Sequence, residues 1–341
     1  MTDIEIRDRA RQIIGAKCAC CPECNGLACG NRIPGPGSKA PGNGAHRNWQ
    51  AWRDVTVSLD CIAPNGTPDT ALTLFGRQFA YPLFAAPIGS LDLHYVPGQD
   101  ICDYNDVLIP ACAEAGVAAF YGDGLTPEVL PRALAQSRKA GGAGVPVLNP
   151  WPQEDLLRST ALANEAGVFA LSIVVDSSGL PFFKNFPGAG SKSVSELREI
   201  VAAAQMPVII KGIMTTRGAE KAVEAGAAAV YVCNHGGRVL GSAPGTAEVL
   251  PEIVRAVGGQ AKILVDGGIR SGADVFKALA MGADAVLICR PFAVQYYGGG
   301  AEAVQQYIRR IGEELRDTMA MCGARTLNAI TADMIKPADS R

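Results

Sequence analysis

A chain of 341 residues, 48% hydrophobic and 19% charged, carries enough apolar material for one large core and is too short for three ordinary domains. Its formal net charge of −2 gives no electrostatic pull toward nucleic acid or a membrane surface, and no run of about 18 apolar residues is present to span a bilayer. The opening residues 1–9 alternate in charge and lack the apolar core of a signal peptide, so a cytoplasmic location is expected. Eleven cysteines in that compartment read as thiols or ligands rather than disulfides.

In chain order, residues 4–14 read as a short helix with a polar face. Five cysteines follow within twelve residues: Cys18, Cys20, Cys21, Cys24 and Cys29. Thiolates this close together can ligate zinc or an iron–sulfur cluster. A reactive or disulfide-forming thiol group and plain unliganded thiols are the alternatives. The other six cysteines sit among apolar neighbours and read as small core residues. Residues 16–48 are rich in Cys, Gly, Pro and Asn, with Pro34-Gly35-Pro36-Gly37 as the densest stretch, and cannot hold a long helix or strand. The expected division is an N-terminal helix and Cys/Gly/Pro-rich extension over 1–55 and one domain over 56–341.

From about residue 81 a regular rhythm begins. Four segments share one pattern, a helix end, a glycine and a short apolar run, with the glycines at 116, 167, 226 and 282. Glycine suits the left-handed residue that closes a helix, and the apolar run suits a strand buried on both faces. These glycines lie 51, 59 and 56 residues apart, whereas one βα unit needs only about 25 to 30, so each gap hides a further strand. Strands are therefore predicted near 83–86, 117–121, 145–148, 169–175, 207–210, 228–232, 262–265 and 284–288. Three of them open on a proline (Pro82, Pro146, Pro207), which a first strand residue tolerates. Eight alternating units indicate an α/β fold of the TIM (β/α)8 barrel type. An open doubly wound sheet is the alternative, weakened because no Gly-x-Gly-x-x-Gly follows the first strand.

A barrel of this kind places its active site at the C-terminal strand ends. Strand 1 ends in Pro87-Ile88-Gly89, strand 3 in Asn149-Pro150-Trp151, strand 4 in Asp176 and strand 5 in Lys211-Gly212. Strand 6 ends in Cys233-Asn234-His235-Gly236-Gly237-Arg238, strand 7 in Asp266-Gly267-Gly268-Ile269-Arg270 and strand 8 in Cys289-Arg290-Pro291. Polar groups converge on one rim, and His235 is one of only three histidines. Around strands 7 and 8, paired glycines, a following helix N-terminus and two arginines form a phosphate-binding pattern.

Asn234-His235-Gly236-Gly237-Arg238, Leu250-Pro251-Glu252-Ile253, Asp266 through Gly272 and Lys277 through Ala283 together resemble the FMN-dependent 2-hydroxy-acid oxidase and dehydrogenase family. That family includes glycolate oxidase, lactate oxidase and the flavin domain of flavocytochrome b2. The resemblance is close over 206–330, looser over 81–205 and absent over 1–50, which marks a divergent member. It implies FMN as cofactor and oxidation of a small L-2-hydroxy acid to the 2-oxo acid. His235 would take the hydroxyl proton while hydride passes from the α-carbon to flavin N5. It further implies that Asp176 stabilises the imidazolium, Arg238 binds the substrate carboxylate, and Lys211 stands beside flavin N1 and O2. Pro87, Ile88, Gly89 and Asn149 would line the isoalloxazine. Asp266, Gly267, Gly268, Arg270, Cys289 and Arg290 would surround the ribityl chain and phosphate. The family's habit implies a homo-oligomer, tetrameric or larger, with oxygen or a redox acceptor protein taking the electrons.

Where this family carries a tyrosine after strand 3, this chain has Trp151, which the resemblance implies would adjoin the substrate. A second carboxylate-binding arginine, expected after strand 4, falls near Phe182-Phe183, and an N-terminal tyrosine has no match. These departures point to a substrate side chain bulkier or more apolar than that of glycolate. Two rival functions are weighed: another FMN-barrel reaction, such as that of type 2 isopentenyl diphosphate isomerase, which shares the fold but is not known for the Asn-His-Gly-Gly-Arg run, and a non-catalytic flavin or thiol redox sensor.

Overall fold

The structure, a computed structural model, describes residues 1–29, 42–180, 183 and 185–336; Pro34–Gly37 and Phe182 lie outside the described residues. Eight parallel strands close into a barrel: β1 Leu83–Ala85, β2 Ala119–Gly122, β3 Gly144–Leu148, β4 Leu171–Val174, β5 Val208–Ile213, β6 Ala229–Val232, β7 Lys262–Val265 and β8 Ala285–Ile288. Closure comes from β8 pairing with β1 in the register Val286–Leu83, Leu287–Phe84 and Ile288–Ala85. All eight expected strands are present. Their apolar runs are buried along the whole length of β2, β3, β4, β6 and β8, as strands covered on both faces require. Phe84, Phe120 and Tyr231 stack through the bore, with ring centroids 5.9 and 6.2 Å apart, so the barrel is a packed core and its chemistry is confined to the rim. The four rhythm-setting glycines all have positive φ, between 66° and 98°, as a helix-closing residue needs.

The N-terminal helix α1 (Asp3–Ile14) opens with Thr2 and Glu5 capping each other's backbone N–H groups. Ile6, Ala10 and Ile14 recur at four-residue spacing, are buried on one face, and that face packs on the helix Arg290–Met321. A second helix, α2 (Gly44–Arg53), begins inside the stretch expected to hold no long helix. Its origin is local: the Gly/Pro punctuation ends at Gly44, and the Asn43 side chain caps the first turn by accepting from the His46 N–H.

Docking of α2 onto the rim governs the end of β7. Asn48 and Asn234 exchange reciprocal side-chain hydrogen bonds of 2.7 and 2.8 Å, and the Trp52 indole donates to the Gly267 carbonyl at 2.7 Å. Gly267 and Gly268 have φ of 88° and 86°, and a Cβ on Gly268 would strike the Asn48 main chain. Glycine is required at 268 both for its left-handed backbone and for the close approach of α2. Gly268→Ala is therefore expected to cost roughly 2–3 kcal/mol in urea unfolding. Gly141→Ala, also at positive φ but facing open space, should cost about 1 kcal/mol. Equal losses at the two sites would show that α2 contact does not constrain Gly268.

Candidate active site

Asp176 and His235 face each other across the strand ends of β4 and β6. His235 Nδ1 lies 2.6 Å from Asp176 Oδ2. Asp176 opens a short turn of 3-10 helix after β4, and the space for its carboxylate is left by Gly212, where any Cβ would collide with it. The second carboxylate oxygen, Oδ1, is buried without a partner. His235 itself has φ of 51°, a conformation that costs a non-glycine residue about 1–3 kcal/mol and that clusters at working sites. The flanking Gly236 and Gly237 (φ 64° and 84°) carry the chain through the same turn.

Lys211, from β5, is buried at the foot of this pair. Its ammonium donates to Cys233 Sγ at 2.8 Å and lies 4.8 Å from the Tyr231 ring centroid. Burial works against its charge, but the Cys233 sulfur, Asp266 and Asp176 outweigh that and hold its pKa above the ordinary lysine value. Tyr231 in turn donates to Asp266 Oδ2 at 2.8 Å. The result is a fixed cation beneath the rim with carboxylates on two sides. Arg238 is half-buried, with its Nη1 3.3 Å from His94 Nδ1. Burial, then Arg238 and His235, push the His94 pKa down to about 2, so this ring is neutral.

The strand-3 end is organised around a residue that sequence reasoning missed. Asp123, just after β2, accepts from the Asn149 backbone N–H at 2.9 Å, the Asn149 amide at 2.6 Å and the Trp151 indole N–H at 2.6 Å. Burial raises its pKa to about 6, against the pull of those donors. Asn149 also accepts from Ser177 at 3.1 Å, which ties this cluster to the turn carrying Asp176. Trp151 thus gives its N–H to Asp123, and its ring meets Phe183 and Phe186 edge-on, with centroids 5.0 and 5.3 Å away.

Arg270 and Arg290 line a cavity of about 350 Å³. Arg270 Nε donates to the Cys24 carbonyl and Nη1 to the Ile269 carbonyl, while its Nη2 and Arg290 Nη1 are buried without partners. Two buried cations with unspent donors fit a phosphate dianion. At the helix N-terminus after β7, the first backbone N–H groups have side-chain partners. Backbone N–H groups of Arg270 and Ser271 go to Asp274, and that of Gly272 goes to Glu314. Pro87 contributes a carbonyl to the Cys289 thiol at 3.7 Å, and Gly122 packs against the backbone of Ile88 and Gly89.

The cysteine cluster requires a correction. Cys18, Cys20, Cys21, Cys24 and Cys29 are all free thiols beside this cavity. Among the described residues, no group of three or more His, Cys, Asp or Glu is placed to hold a metal, so zinc or iron–sulfur ligation is not supported. Close sequence spacing alone does not arrange the sulfurs as metal ligands, although all five cysteines line one cavity.

Residues 37–182 and 182–337 match the FMN-dependent dehydrogenase family. The chain belongs to that family. It is 30% identical over 322 residues to a peroxisomal (S)-2-hydroxyacid oxidase of Arabidopsis thaliana, covering 87% of this chain and 89% of the relative. It is 34% identical over 297 residues to a 4-hydroxymandelate oxidase of Amycolatopsis orientalis, covering 76% and 80%. Among solved structures, a mandelate oxidase variant with 2-hydroxy-phenylacetamide superposes with a TM-score of 0.80 at 28% identity, covering 98% of this chain and 97% of that one. The chain is thus an FMN-dependent 2-hydroxy-acid oxidoreductase, and the orphaned guanidinium groups fit its cofactor. Among the described residues, no helix is long and apolar enough to cross a membrane.

The Asp123 cluster yields a spectroscopic expectation. Near-ultraviolet absorption of Trp151 should titrate with an apparent pKa of about 6, as the carboxylate at its N–H gains a proton. The transition should vanish in Asp123→Asn and in Trp151→Phe. Persistence in both would assign it to another group.

Proposed function

We propose that the protein oxidises an L-2-hydroxy acid to the 2-oxo acid, with His235 as the base that removes the hydroxyl proton. The observation that carries this reading is the 2.6 Å pairing of His235 with Asp176. A carboxylate on Nδ1 orients the ring, leaves Nε2 to accept a proton, and favours the imidazolium that results. FMN, when bound, supplies the two-electron acceptor for the hydrogen on the α-carbon. Lys211 would hold its cation at the flavin's pyrimidine edge, and Arg238 would bind the substrate carboxylate as a planar donor. Pro87, Ile88, Gly89 and Asn149 would border the ring system, and Asp266, Gly267, Gly268, Arg270, Cys289 and Arg290 the ribityl and phosphate end.

The aromatic group of Trp151, Phe183 and Phe186 supports a substrate with a bulky or aryl side chain. Because the Trp151 N–H is given to Asp123, the ring offers a substrate its apolar surface. Relatives named as mandelate, 4-hydroxymandelate and lactate oxidases favour oxygen as electron acceptor, ahead of a redox acceptor protein.

Anaerobic mixing with a panel of 2-hydroxy acids tests the reading directly. Flavin absorbance should bleach with at least one (S)-2-hydroxy acid, and His235→Gln should slow bleaching by ~10²–10⁴-fold. Trp151→Ala should lower kcat/KM for mandelate more than for lactate. Bound flavin that no member of the panel bleaches would refute the assignment, and the opposite substrate pattern would refute the aryl preference.

A further inference from the structure

The established family and the proposed reaction leave the cysteine-rich segment without a task. The segment is nevertheless fixed in place from several sides. Glu23 accepts from the Trp49 indole and from Arg53, each at 2.8 Å. The Asn43 amide donates to the Gly26 carbonyl at 2.8 Å, and the His46 ring lies 3.0 Å from the Asn25 carbonyl. On its other flank, Arg11 of α1 donates to the Ala19 carbonyl at 2.9 Å. Arg270 closes the set by donating to the Cys24 carbonyl at 2.7 Å.

All five cysteines line the same cavity of about 350 Å³ as Arg270 and Arg290, a volume within the range of small-ligand pockets. The two buried, unpartnered guanidinium nitrogens belong to this cavity's arginines. Glu23, the acid within the segment, is engaged by Trp49 and Arg53. Arg270 owes part of its orientation to the segment, since its Nε is held by the Cys24 carbonyl.

We propose that residues 18–29 form the outer wall of the FMN phosphate pocket, so that a covalent adduct on the wall's thiols and bound FMN exclude one another. This rests on the assignment of FMN to the barrel and adds a binding element that lies outside the βα repeats. A thiol alkylated here gains a group that occupies the cavity beside the arginines. The exclusion is steric in both directions: bound FMN bars reagent from the wall, and an adduct on the wall occupies space that the phosphate needs.

The test uses the holoenzyme and iodoacetamide, in which sulfur displaces iodide, a carbon–sulfur bond forms, and iodide and a proton are released. Alkylation is followed by peptide mass mapping, and FMN release by the fluorescence of the free flavin. Excess free FMN should slow carbamidomethylation of the 18–29 thiols at least tenfold, while exposed Cys61 reacts at an unchanged rate. Without added FMN, FMN release should track modification of these thiols, and both should fall together as free FMN is raised. Equal alkylation rates with and without excess FMN, or full alkylation with FMN retained, would overturn the proposal. A purified protein whose spectrum shows no flavin even with FMN added would refute the cofactor assignment itself, a failure separate from that of the wall.

Discussion

The organising constraint of this molecule is a set of charges buried at the mouth of a packed barrel. Lys211 is buried, and the Cys233 sulfur, Asp266 and Asp176 hold its pKa above the ordinary lysine value against the effect of burial. Asp176 is also the partner of His235, so one carboxylate faces both the fixed cation and the imidazole. An isolated ion at such depth would be costly by several kcal/mol. Most of the rim can be understood as compensation for that cost. Tyr231 hydrogen-bonds Asp266, Gly212 vacates space for Asp176, and His235 accepts a left-handed backbone to reach its place.

A second constraint runs through the N-terminal region. Helix α2 lies directly on Gly267 and Gly268, and the Asn48–Asn234 exchange joins it to the residue before His235. The N-terminal region is therefore tied to both halves of the site: Asn48, within the family match that begins at residue 37, bonds Asn234 beside His235, and the cysteine segment before it bonds Arg270. Divergence here is constrained by the same contacts that position the chemistry. Trp151 and its aromatic neighbours stand apart from this region but are joined to the Asp176 turn through Asp123, Asn149 and Ser177.

The barrel was legible because each strand is a short apolar run bracketed by a glycine, a proline or a polar rim residue, a signal carried entirely by local chain chemistry. Lys211, Asp176 and His235 were legible for the same reason: a polar residue ending a buried strand of a barrel stands on the active face. Asp123 was missed although it follows β2 on that face, because a single acid between two glycines reads as a turn. Its importance comes only from donors brought by β3. His94 was a weaker signal still, although it is one of three histidines. The purpose of the cysteine segment was illegible in principle. Its decisive contact, Arg270 to the Cys24 carbonyl, joins residues 246 apart and uses a backbone atom that no motif encodes. Spacing suggested metal ligation, whereas the fold sets the five cysteines on one cavity with no metal-ligand arrangement among the described residues.

The central claim is that the Asp176–His235 pair performs the proton transfer. Anaerobic stopped-flow measurement of flavin reduction in Asp176→Asn, with protiated and α-deuterated substrate, tests it most directly. The account predicts a reduction rate constant lower by about 10²-fold or more, a retained deuterium isotope effect, and little change in the substrate concentration giving half-saturation. An unchanged reduction rate in that variant would contradict it.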